Sequence, residues 1–269
     1  MPVPRGLLGE GDERQSAHVR ATERTVRSLK REVRDAFANL LRGRITRAKV
    51  DRVVLLHERL EGIMRRDLSA SASTSYRGWS RTITKATGIR RKVTEPGAVE
   101  VERVVMQPLA GERWTQRLER HSPTVADLMN VFGGRRPRAD VLRDLEAMAG
   151  RVSARVGALA RTEAHRVNQA MSERAAKDLL GAQEIVGWRY MTMDDERVRP
   201  EHRLLHGRIY QSGTPRPTIP NGVQCRCFYL PVTAPGAVAR AKARAVTPPA
   251  VRRLVGVGAT SVLIDAART

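Results

Sequence analysis

The chain has 269 residues, with 49 Lys plus Arg against 28 Asp plus Glu, a net charge of +21, 41% hydrophobic and 4% aromatic residues. The length fits one large or two ordinary domains, and no apolar run approaches the ~20 residues of a bilayer-spanning helix. Charge of this sign favours a polyanionic partner, nucleic acid first, although arginine also accumulates in GC-rich genomes and charge gives attraction without specificity. The opening MPVPRGLLGEGDERQ lacks an apolar core, so the sequence predicts no signal peptide. Two cysteines build no disulfide framework, which predicts a reducing compartment.

Residues 1–19 are polar and expected to be a flexible N-terminus. From Ala21 onward Val26, Leu29, Val33, Phe37, Leu40 and Leu41 recur at three and four, a helix stripe with Arg27, Lys30, Arg31 and Arg34 off it. Gly43 reads as a break before a second helical run through Ile45, Val50, Val53, Val54, Leu60, Ile63 and Met64. Residues 20–105 thus read as a basic helical region, a hairpin or arm. Its Arg27, Lys30, Arg31 and Arg34 are candidates for contact with DNA or an assembly partner, and a solvated charged face fits the same pattern. SASASTS (69–75) reads as a small-residue linker, and TEPGAVEVERVV (94–105) has β-branched residues without a clean period.

Residues 106–180 form a central helical section. Pro123 starts one helix there, Gly133 and Gly134 end it, and a long helix runs from about Ala147 to Leu180. Val152, Val156, Leu159, Val167, Met171 and Leu179 make its apolar stripe; Arg161, His165, Asn168 and Ser172 make a polar one. Residues 181–234 change texture. EIVGWRYMT (184–192), RIY (208–210) and VQCRCFYLPV (223–232) read as strands. RPEHRLLHG (199–207) reads as a short helix with Pro200 at its first position and Gly207 as its stop. The tail, 235–269, is Ala-, Arg- and Pro-rich and ends in the apolar VGVGATSVLI, expected to pack weakly or to dock. The fold expected is mainly α with a small α+β motif domain: long basic N-terminal helices, a central helical section and a short C-terminal sheet unit.

GERWTQRL (111–118), LARTEAHRVNQAM (159–171), DERVRPEHRLLHG (195–207) and PNGVQCRC (220–227), in that order, resemble the phage Mu F-like head morphogenesis family over roughly residues 108–232. The resemblance implies a minor head protein of tailed double-stranded DNA phages, not an enzyme, acting at the portal vertex in head assembly and in DNA packaging or ejection. Its implied partners are the portal protein, the major capsid protein and packaged DNA. Its implied place is the virion, reached by assembly in the host cytoplasm. The family's motif residues fall here on Arg161, Glu163, Asp195, Arg197, Pro200, His202, Gly207, Cys225 and Cys227. Some members read Cys-Pro-x-Cys where this chain has Arg199-Pro200-Glu201-His202, so a four-cysteine metal site is out of reach.

Cys225 and Cys227 would share a face if they lie on a strand, as would His202 and His206 on a helix. Two thiolates and two imidazoles make a closed tetrahedral set suited to a structural zinc. A strained Cys-x-Cys disulfide and two cysteines packed as small hydrophobes are the other readings. Glu163, Asp195 and His202 can be drawn as the acid–base set of a metal-dependent nuclease. Equally, Glu163 and Asp195 pair with Arg161, Arg197 or Arg226 in a buried ionic network. A sequence-nonspecific DNA-binding protein without an assembly role is a further reading.

Overall fold

In the computed structural model, the residues described are 7–42, 44–109, 111–134, 136–193, 196–220, 222 and 224–246. Three long helices carry the architecture: α1 (Leu7–Leu41), α3 (Leu56–Thr87) and α7 (Arg138–Leu180). Four short ones, α2 (Arg47–Val54), α4 (Ala98–Val105), α5 (Trp114–His121) and α6 (Val125–Phe132), fill the connections. A three-stranded sheet follows, with the one-turn α8 (Pro200–Arg203) inserted in it and α9 (Ala237–Val246) closing the described chain. The fold is mainly α with a small sheet unit, as its residue patterns imply. No helix among the described residues is long and apolar enough to cross a membrane.

α7 is the axis. From Val156 to Leu180 it is buried on most of its circumference, polar stripe included, because α1, α3, α5 and the sheet pack around it. The stripe of α1 meets it through Val26, Leu29, Val33 and Phe37, and that of α3 through Leu68, Tyr76, Trp79 and Ile83, all in one continuous core. The N-terminal helices are therefore part of the bundle and not a free arm.

Several boundaries differ from those the sequence suggests. α1 begins at Leu7, so residues 7–19 of the expected flexible N-terminus are helical; residues 1–6 lie outside the described set. The heptad-like spacing continues back through Thr22, His18, Gln15, Gly11 and Leu7, all buried, but mostly with polar or small side chains that hide the stripe. SASASTS is no linker: it sits mid-α3, with Ala72 and Ser75 buried where a larger side chain would hold the helices apart. TEPGAVEVERVV yields a helix, because Val101 and Val105, one turn apart, reach the core. α7 starts at Arg138, ahead of the expected Ala147. Gly43 lies outside the described residues, although α1 does end at Leu41.

The strands are β1 (Ile185–Met191), β2 (Ile209–Gln211) and β3 (Phe228–Thr233), antiparallel in the order β2-β1-β3. Trp188 faces Tyr210 on one side and Pro231 on the other, and Pro231 is tolerated because β3 is an edge strand. Gly187 is required by close approach: a Cβ there would stand 2.7 Å from the Tyr210 carbonyl. The cysteines precede β3 rather than lying on it. The described part of the tail docks. Ala237 and Ala241 of α9 are buried, and Arg240 and Arg244 reach Glu184 at 2.5–3.2 Å. VGVGATSVLI lies outside the described residues.

Candidate metal centre

Pro200 opens α8, whose fixed φ suits a helix start, and the segment turns back after one turn. Gly207 takes φ +79 and donates its N–H to the Tyr190 carbonyl at 2.8 Å, returning the chain to the sheet. This hairpin presents His202, buried, toward the segment 224–227. His202 Nδ1 lies 3.3 Å from Cys227 Sγ and 3.8 Å from Cys225 Sγ, and the three donor atoms lie within 4.8 Å of one another. Both cysteines are free thiols, so the disulfide reading is set aside.

His206 is not with them. The helix stops at Arg203, so the i, i+4 relation to His202 is lost, and His206 is exposed with Nδ1 accepting from Thr192 N–H and Oγ1. Of the four residues expected to converge, the structure groups three, His202, Cys225 and Cys227. Asp195 lies outside the described residues.

One face of α7 holds the cysteine segment in place. Thr162 Oγ1 accepts from Gln224 N–H at 3.2 Å, His165 Nε2 donates to the Cys227 carbonyl at 2.5 Å, and Gln169 Oε1 accepts from Tyr229 N–H at 3.1 Å. A carbonyl can only accept, so His165 carries its proton on Nε2, and Nδ1 accepts from Gln15 Nε2 at 3.0 Å. Gln15 Oε1 in turn accepts from Asn168 Nδ2 at 3.0 Å, and Asn168 Oδ1 accepts from Trp79 Nε1 at 3.2 Å. The relay is buried and every donor in it finds an acceptor. It joins α3, α7, α1 and the cysteine segment. Gln15 and Trp79 have no sequence signal for this role, because each reads as an ordinary helix residue until the helices are assembled.

The thiols face a cleft of about 390 Å³. His18, Glu23, Arg161, Arg197, Arg199 and Arg226 also line it. Arg161 is held by Glu23 across α1 and α7, with Nε at 2.7 Å and Nη2 at 3.1 Å from the carboxylate, which this pairing keeps below the usual range. Burial, then the neighbouring His165 ring and Arg14 guanidinium, hold His18 neutral, with its pKa lowered to about 3. The hydrogen-bonding neighbour Cys225, then burial, push the Cys227 thiol well above its ordinary value. The Tyr190 phenol is likewise raised, chiefly by burial.

Glu163 sits in a buried ionic network, but with Arg117 and Arg166 as its partners. It is fully buried, with one oxygen 2.8 Å from Arg117 and the other 2.7 Å from Arg166. Arg166 also donates to the carbonyls of Val104 and Val105 at 2.7 Å, and Trp114 Nε1 donates to Val105. This knot ties α4 and α5 to α7; Arg161 and Arg226 are not its members among the bonds described. Both Glu163 oxygens are engaged and neither lines the cleft, so Glu163 and His202 do not share a site. Arg27, Arg31 and Arg34 are exposed on α1 and Lys30 is half-buried, its chain against Gly157. With Arg20 and Arg24, also exposed, the arginines recur at four, three, four and three along one face.

Residues 99–230 match the family model described as Phage Mu protein F like protein. An uncharacterized protein of Methanocaldococcus jannaschii is 52% identical over 44 residues, which cover 16% of this chain and 7% of that protein's length. No solved structure matches the chain.

Proposed function

We propose, from the premise that residues 99–230 are a domain of the phage Mu F-like family, that this chain is a minor head protein of a tailed double-stranded DNA phage. It acts inside the head or at the portal vertex, in head morphogenesis and in DNA packaging or ejection. The family match carries this reading. Two features of the molecule support it. The matched region contains the Glu163 knot and the cysteine segment, both of which lock secondary structure together and neither of which exposes a free carboxylate to the cleft. Outside the matched region, α1 offers a solvent-facing arginine row on a chain of net charge +21, a surface suited to a capsid wall, a portal or packaged DNA.

The test is recovery of the chain with portal protein from procapsids, and the yield of filled heads when it is deleted. Absence from procapsids purified free of soluble protein, with unchanged filled heads in the deletion, would sink the reading.

The arginine row favours a second reading, a sequence-nonspecific DNA-binding protein. Neutralised phosphates release counterions, so log K against log salt would fall with a slope of about −0.9 per phosphate contacted. Replacing Arg24, Arg27, Arg31 and Arg34 by Glu would flatten that slope if the row binds DNA. The same variant would keep its salt dependence if DNA binds elsewhere.

A further inference from the structure

We infer that His202, Cys225 and Cys227 bind one zinc-class cation and leave one coordination position open to the arginine-lined cleft. This stands independently of the head-assembly reading, because it rests on donor geometry alone.

Zinc takes sulfur at about 2.3 Å and imidazole nitrogen at about 2.0–2.1 Å in a tetrahedron, which sets neighbouring S and N donors about 3.6 Å apart. The two distances here, 3.3 and 3.8 Å, straddle that value. A shared hydrogen between one thiol and the imidazole explains one short S···N distance; it does not explain why the second sulfur also stands within reach of the same nitrogen. All three donors are buried, and two thiolates with one neutral imidazole cancel a divalent charge, so the loaded site is electrically neutral in a place where net charge would be costly.

The site is also built before any ion arrives. Gln224 N–H is fixed on Thr162 and the Cys227 carbonyl on His165, while His202 N–H closes on the Arg199 carbonyl at 3.0 Å. Bonds from α7 and within the α8 turn thus fix the backbone on both sides of the donors.

Three protein ligands leave a tetrahedral ion one position short, the arrangement of an exchangeable rather than a closed site. His206, which would have closed it, is turned to Thr192. Among the described residues, the cleft beside the thiols carries Arg161, Arg197, Arg199 and Arg226 and one carboxylate, Glu23. A small anion or an anionic group on a partner is the ligand class this wall favours for the open position, in exchange with water.

The full-length chain, stripped with a chelator and reloaded with cobalt(II), tests both halves. The expected result is one cobalt per chain with thiolate-to-cobalt charge-transfer absorption and intense tetrahedral visible bands, the latter shifted by azide or thiocyanate. His202→Ala should weaken metal affinity by about tenfold or more, as should Cys227→Ser, whereas His206→Ala should leave it within about twofold. Failure to take up stoichiometric cobalt or zinc would overturn the site. A tetrahedral spectrum indifferent to added anions would overturn the open position, and loss of binding in His206→Ala would restore the closed set. Wild-type spectra and the anion titration decide the matter even if a ligand variant fails to fold.

Discussion

His165 Nε2 donates to the backbone carbonyl of Cys227 at 2.5 Å, joining the middle of the central helix to a segment 62 residues further along the chain. The bond matters because the other ring nitrogen is committed as well: Nδ1 accepts a hydrogen bond from Gln15 Nε2, so the ring cannot turn without breaking both. A neutral imidazole with one defined tautomer is thereby fixed between α1 and the cysteine segment.

Removing that ring orphans two buried groups. His165→Ala should destabilise the protein by about 2–4 kcal/mol, since each unsatisfied buried partner costs about 1–3 kcal/mol. Gln15→Leu should be costly too, and the double variant should cost clearly less than the sum, because both changes break the same bond. Urea unfolding of the four proteins checks this. Strict additivity would mean the relay is not a unit.

Two carboxylates separate buried from exposed pairing. Glu163→Gln should cost about 3–5 kcal/mol, because Arg117 and Arg166 lose their counter-charge and Glu163 is fully buried. Glu23→Gln removes a pair whose side chains are 37% and 27% exposed, where solvent screening leaves about 1 kcal/mol or less. Thermal or urea denaturation that ranked them the other way would contradict the burial order.

Stability should fall on mild acidification. His18 has its folded pKa lowered to about 3 and His165 is lowered by burial, against about 6.5 for an unfolded histidine. The unfolded chain therefore binds more protons below about pH 6.5, and stability is lost as pH falls from there, by up to about 1.4 kcal/mol per pH unit per group. His121, lowered by burial and three nearby arginines, acts in the same direction. Glu23 and Asp127, held low by Arg161 and Thr124, lose their contribution only below about pH 4, so the window between pH 6.5 and 5 reports the histidines. Urea midpoints at the two ends of that window measure the slope, and His18→Gln should reduce it. An unchanged slope in that variant would place the protons elsewhere.

The small-residue stretch of α3 is a packing surface. Ala72→Leu should destabilise by about 1–3 kcal/mol through overpacking, whereas the same change at an exposed site of the helix should be close to neutral. A neutral Ala72→Leu would revive the linker reading.

What the sequence determined by itself follows from local periodicity. The apolar stripes from Val26 to Leu41 and from Val152 to Leu179, the aromatic run at β1 and the turn residues Pro200 and Gly207 each act on neighbours in the chain, so helix, strand and turn could be read directly. The proximity of His202 to the cysteines was legible only as a question of residue types. Tertiary structure decided the rest. Gln15 in the polar continuation of α1 is buried because its partners are His165 and Asn168 on α7, and no local pattern reports a partner 150 or 153 residues away. Glu163 chose Arg117 and Arg166 over Arg161 because side-chain direction around a crowded helix, not spacing alone, selects the pair. His206 lies apart from His202 and the cysteines because α8 ends at Arg203, where the chain turns back to pair with β1. A buried polar group takes whichever partner the packed helices bring within reach, and that is fixed only when the core closes.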